Sequence, residues 1–84
     1  MSFIVYILKS LKNEKYYIGQ TADVEKRLLQ HNKGLSRSTK PDAPWKVVYQ
    51  EMFPSRREAI QRERFLKSPS GWKEWKEIKT NLLS

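Results

Sequence analysis

Phe3-Ile4-Val5-Tyr6-Ile7-Leu8 is a continuous apolar, β-branched and aromatic run, and it narrows the folds open to this chain of 84 residues more than any other stretch. Without polar alternation it reads as a strand buried on both faces, hence the centre of a sheet with other elements packed on each side. Side-chain alternation puts Ile4, Tyr6 and Leu8 on one face and Phe3, Val5 and Ile7 on the other. Tyr6 is the only one with a polar tip. The run is too short to span a membrane, and no signal-peptide cleavage pattern follows it. The length suits a single domain, residues 1–84, with one modest core.

The rest of the chain builds around that strand. Asn13-Glu14 suits a turn, after which Lys15 to Gly19 is the return strand of a hairpin, with Tyr17 and Gly19 facing one way and Tyr16 and Ile18 the other. Thr21 is expected to cap a helix over 22–33, with Asp23 and Glu25 in its first turn and Gly34 as its stop. Val24, Leu28 and Leu29 form the apolar stripe of that helix. Arg27 and His31, four residues apart, share its rim. The segment from Lys33 to Pro44 carries Lys33, Arg37 and Lys40, with Lys46 just beyond, and reads as an exposed basic loop. Trp45 to Phe53 alternates as a third strand, with Val47, Tyr49 and Phe53 on one side and Val48 and Met52 on the other. Ser55-Arg-Arg-Glu58 is a capping box that opens a second helix, Ser68-Pro69-Ser70-Gly71 breaks it, and Trp72 to Leu83 forms a third. The order ββαβαα indicates an α+β domain, a three-stranded antiparallel or mixed sheet flanked by helices.

Charge and composition narrow the chemistry. Seventeen Lys and Arg against nine Asp and Glu give a net charge of +8, which favours polyanions, nucleic acid first and an acidic membrane surface second. A solvated basic surface with a protein partner has the same composition. The absence of cysteine excludes disulfides, thiolate metal sites and a cysteine nucleophile, and a cytoplasmic location fits. Glu63 falls inside the apolar stripe formed by Ala59, Ile60 and Leu66. A carboxylate directed there is costly unless paired, hydrogen-bonded or metal-bound, so it is either satisfied by a neighbouring arginine or a metal ligand. Trp72 and Trp75 share one helix face; capping the core is preferred over stacking on bases.

Tyr6, Tyr17, Arg27, His31 and Glu63 each lie on or beside an otherwise apolar face. An arginine fork suits phosphate, a histidine or tyrosine can move a proton, and a glutamate can hold a hard cation such as Mg²⁺. Together these are the parts of metal-assisted phosphodiester hydrolysis, and the single carboxylate argues against a two-metal site.

In that order and spacing the chain resembles the GIY-YIG endonuclease family, in its small single-domain branch, and is similar to the nuclease domain of the excision-repair incision subunit. The resemblance rests on Ile4-Val5-Tyr6, Tyr17-Ile18-Gly19, Arg27, His31, and Glu63 within Ala59 to Lys67, and it covers about Phe3 to Ser68. It implies a nuclease dependent on one divalent metal, Mg²⁺ or Mn²⁺, acting on nucleic acid, most readily DNA, in repair or recombination. Glu63 would hold the metal, Arg27 would orient the scissile phosphate, and Tyr6 would activate or position the attacking water. Tyr17 would support phosphate or nucleophile, and His31 would handle a proton or touch phosphate. Gly19, Gln20, Lys33, Arg37 and Lys40 are the expected further nucleic-acid contacts. Gln20 stands where excision-repair relatives carry lysine. The alternative is a catalytically inactive basic nucleic-acid-binding module of the same fold.

Overall fold

The computed structural model describes residues 2–83. β1 (Phe3–Ser10) lies between β2 (Tyr16–Thr21) and β3 (Trp45–Phe53), and both pairings are antiparallel. α1 (Val24–Asn32) follows β2, while α2 (Arg56–Lys67) and α3 (Trp72–Leu83) follow β3. The order is the expected ββαβαα, and the sheet is antiparallel throughout. Val5, Tyr6, Ile7 and Leu8 are all buried, because helices cover both faces of β1. Val5 and Ile7 pack with Ile18, Ala59, Leu66 and Ile78 under α2 and α3, whereas Tyr6 and Leu8 pack with Trp45, Val24 and Leu28 under α1. Each large apolar side chain taken fully out of water contributes about 1.5–3 kcal/mol, so this run anchors both layers at once.

Three local expectations are corrected. Asp23, not Thr21, caps α1: its carboxylate accepts from the Lys26 amide at 3.1 Å, while the Thr21 hydroxyl accepts from the Asp23 amide at 3.2 Å. A threonine two residues ahead of the cap closes a turn with that amide instead, and the helix therefore starts at Val24. Gly34 does end it, with φ +75 and its amide on the His31 carbonyl.

The alternation of β3 also breaks. Ile7 pairs with Tyr49 but Leu8 pairs with Val47, which leaves Val48 as the extra residue of a bulge. Val47 accordingly packs on the α1 side, while Val48, Tyr49 and Phe53 pack on the α2 side.

The tryptophan pair divides. Trp75 sits edge-on to Tyr16 at 5.5 Å and packs against the core, but Trp72 is 57% exposed.

Arg62 ties three elements together. Its guanidinium donates to Glu51 of β3 at 2.7 and 2.9 Å and to Glu74 of α3 at 2.9 and 2.5 Å, and Tyr49 donates to the same Glu51 carboxylate at 2.5 Å. The bond from Arg62 holds the Glu51 carboxyl below the usual glutamate range. Among the described residues no helix is long and apolar enough to cross a membrane.

Candidate active site at the edge of the sheet

Across the β1–β2 ladder Tyr6 faces Gly19, and Tyr17 faces Leu8. The two tyrosines are thus diagonal neighbours on one face, with ring centroids 6.3 Å apart. Gly19 makes this arrangement sterically allowed. A Cβ there would lie 2.6 Å from the Tyr6 hydroxyl oxygen and 2.9 Å from the Tyr17 ring, so the Tyr6 ring can extend over β2 only because that side chain is missing.

Behind Tyr6 is a buried polar chain. The Tyr6 hydroxyl lies 3.1 Å from His31 Nε2, and His31 Nδ1 lies 2.7 Å from the Thr39 hydroxyl. Thr39 in turn donates to the Ser36 carbonyl at 3.3 Å. With its hydrogen committed to Ser36, the Thr39 oxygen accepts from Nδ1–H, and Nε2 is left to accept from the Tyr6 O–H. All the bonds therefore run in one direction, and the imidazole is neutral. Burial and then the charge of Arg27 lower the His31 pKa from 6.5, in agreement with that protonation state. Thr39 is itself fixed where Trp45 Nε1 donates to its carbonyl at 2.9 Å. His31 is wholly buried, so it has no access to phosphate; of its two expected roles only proton handling is sterically open.

Arg27 sits one helical turn before His31, with Nη1 donating to Gln30 at 2.9 Å. Burial and the neighbouring Tyr17 push the Tyr6 hydroxyl up to about 12; Arg27 opposes them by hydrogen bonding and charge, while the charge of Glu63 reinforces them. Glu63 comes from α2, on the other layer, yet its field acts on the hydroxyl of Tyr6. The ion pair expected with an arginine is made instead with Lys67, one turn on, at 3.5 Å. The same Lys67 ammonium lies 5.5 Å from the centre of the Tyr17 ring. Tyr6, Tyr17 and His31 therefore meet beside β2, an edge strand of the sheet, with Arg27 acting on the Tyr6 hydroxyl and Glu63 linked to Tyr17 through Lys67.

Of the expected nucleic-acid contacts, Gln20 lies beside Arg27. Beside Arg27 is a depression of about 300 Å³ lined by Gln20, Asp23, Lys26 and Arg56, and Arg56 donates to Gln20 at 3.4 Å. Lys33, Arg37 and Lys40 are exposed on the loop outside this depression. Thr39, Lys26 and Arg56 were not among the residues expected here, and Lys67 was expected only as the end of the Ala59–Lys67 motif. Only Lys67 had a readable signal, its spacing of four from Glu63 on one helix.

A hard cation would find a single protein carboxylate here. Among the described residues no group of three or more acidic, histidine or cysteine side chains converges, and both nitrogens of His31 are engaged. Glu63, with a side chain 22% exposed, nonetheless suits an ion of the Mg²⁺ type, which keeps several waters and completes its shell with phosphate oxygens.

Residues 2–77 match the family model of the GIY-YIG catalytic domain. The chain is 41% identical over 75 residues to a UPF0213 protein of Staphylococcus saprophyticus, an alignment covering 88% of this chain and 90% of that one. A UPF0213 protein of Clostridium perfringens is 45% identical over 64 residues, covering 75% and 68% respectively. The solution NMR structure of the UPF0213 protein BH0048 from Bacillus halodurans superposes with a TM-score of 0.56 at 32% identity, covering 95% of this chain and 85% of that one.

Proposed function

The chain belongs to the GIY-YIG family, a family of nuclease catalytic domains, and on that footing we propose that it is a single-metal DNA endonuclease whose reacting centre is Tyr6, Tyr17, Arg27, His31 and Glu63. The observation that carries this reading is the chain Tyr6–His31–Thr39, which ends at a hydroxyl acted on by one cation and one carboxylate.

Tyr6 remains a neutral phenol near pH 7, because its pKa is pushed up to about 12. Its proton is committed to His31, so its free lone pairs can accept from the attacking water. As that water attacks phosphorus and the ester P–O bond breaks, the water proton passes to the Tyr6 oxygen while the Tyr6 proton moves to Nε2, leaving an imidazolium; the departing alkoxide takes a proton from solvent, and the imidazolium returns one to solvent through Tyr6. Thr39 keeps Nδ1–H occupied and the imidazole in the receptive tautomer. Arg27 holds a non-bridging phosphate oxygen and neutralises charge that grows there in the transition state. Tyr17 walls the phosphate and positions Lys67. Nucleases of this family generally depend on a divalent metal; Glu63 would hold it, and when bound it supplies Lewis acidity at the phosphate.

The second reading, a silent nucleic-acid-binding module, is favoured by the Glu63–Lys67 ion pair and by the 1% exposure of Tyr6. Cleavage of labelled duplex, branched and single-stranded DNA, and of RNA, with Mg²⁺, Mn²⁺ or chelator separates the two. The nuclease reading expects metal-dependent cutting that falls about 100-fold or more in both Glu63→Gln and Tyr6→Phe. Binding without cutting on every substrate would establish the silent module.

A further inference from the structure

On the other side of the site from the Arg27 depression, Tyr17 and Lys67 also line a groove of about 530 Å³ between β2 and the α2–α3 corner. Tyr16 and Trp75 line it as an edge-on pair at 5.5 Å, and the Lys79 ammonium lies 5.7 and 5.6 Å from the centres of those two rings. Trp72 also lines it and stays 57% exposed, a large aromatic surface that the core does not use. Among the described residues that line the groove, Glu14 is the only acidic one.

We propose that this groove binds unpaired nucleotides of the strand being cut, next to the scissile phosphate, with a base stacked on Trp72 and the phosphates drawn by Lys67 and Lys79. The proposal rests on the reading of nucleic acid as substrate given above. Interleaved aromatic and cationic side chains match the chemistry of a single strand, which offers free base faces and a charged backbone together. A duplex hides its base faces in the stack, so it has nothing for an exposed tryptophan to stack on. Continuity with the reacting centre argues in the same direction, because Tyr17 belongs to both, Lys67 of the groove is paired with Glu63, and a strand leaving Arg27 across Tyr17 enters this groove. The site thus divides a substrate: a cationic depression with Arg27, Lys26 and Arg56 on one side, an aromatic groove on the other.

The test uses the full chain in chelator, so that nothing is cut, titrated with a short oligothymidylate and with a duplex of equal length. Oligothymidylate should quench tryptophan fluorescence. Trp72→Ala should weaken its binding about 5-fold or more, the size of one lost base–aromatic stack, and leave duplex binding unchanged, while Trp72→Phe should keep most of the affinity. Equal binding of oligothymidylate by Trp72→Ala and wild type overturns the proposal, as does an equal loss for single strand and duplex. Glu63→Gln read in the same titration keeps the two readings apart. Strand discrimination through Trp72 that persists in a chain cutting no substrate leaves the groove standing and removes the nuclease; cutting without that discrimination does the reverse.

Discussion

The Tyr6 hydroxyl lies 3.1 Å from Nε2 of His31, 25 residues later in the chain, and both residues are buried. This bond fixes which way a proton can leave Tyr6. His31→Phe keeps a slightly larger aromatic ring in place but leaves the Tyr6 O–H and the Thr39 oxygen without their partner. We expect a stability loss of about 1–3 kcal/mol by urea unfolding, because buried polar groups are left unsatisfied. Cleavage should fall about 100-fold, the usual contribution of a positioned proton acceptor. His31→Phe and Tyr6→Phe combined should cost no more activity than either alone; multiplicative losses would show that the two act separately.

Acidification should act through the same imidazole. The folded pKa of His31 lies below 6.5, so between that pKa and 6.5 the unfolded chain binds more protons than the folded one. Stability contributed by the neutral His31 is therefore fully present above about pH 6.5 and is lost as pH falls towards the folded value. The difference in unfolding free energy between wild type and His31→Phe should shrink over that window. Cleavage should show an acidic limb below 6.5 from the same group, and no alkaline limb from Tyr6 between pH 7 and 10, because that phenol titrates near 12. An alkaline fall that Tyr6→Phe abolishes would assign Tyr6 a different protonation state.

The sequence made the framework legible where local signals and tertiary packing agree. Six apolar residues in a row leave little choice but the middle strand, and Ser55 and Gly34 mark helix ends by backbone chemistry alone. Legibility failed where the deciding partner is distant. Val48 bulges only because β3 must pair with β1 in two phases, and periodicity within β3 carries no trace of that. Trp72 and Trp75 look equivalent on a helix wheel, yet only Trp75 meets Tyr16. The candidate site divides in the same way. Tyr6, Tyr17 and Glu63 stand out in the sequence by their places on faces and in motifs, whereas Thr39 lies in an irregular loop, where no period distinguishes a buried hydroxyl from an exposed one.

Gly19 offers a case in which two physical effects predict opposite signs. Its φ is not positive, so Gly19→Ala meets no backbone strain, and removing a glycine from a strand interior would ordinarily stabilise by about 0.5–1 kcal/mol. The added methyl would nevertheless lie 2.6 Å from the Tyr6 hydroxyl oxygen, closer than contact allows. We expect overpacking to prevail, with a net loss of about 1–3 kcal/mol, displacement of the Tyr6 ring and loss of cleavage. A raised melting temperature with cleavage intact would show that Tyr6 is not held over Gly19.

Arg62 allows the frame to be perturbed apart from the chemistry. Its guanidinium bridges Glu51 and Glu74, so Arg62→Met leaves two carboxylates without that shared cation and removes the polar tie between β3 and both helices. Charge-assisted hydrogen bonds contribute about 1.5–3 kcal/mol each when shielded, but the Glu74 side chain is 43% exposed and water recovers part of that loss. A net destabilisation of about 2–3 kcal/mol is expected in urea, with cleavage by the folded protein unchanged, since among the described residues the side chains of Arg62, Glu51 and Glu74 share no hydrogen bond or ion pair with those of Tyr6, Arg27 or Glu63. The acid limb provides the second readout. Arg62 holds the Glu51 carboxyl below 4.5, so wild-type stability from this pair is present above about pH 4.5 and disappears as pH falls through the lowered value. Arg62→Met should lack that fall, and a variant that kept it would place the acid-sensitive group elsewhere in the fold.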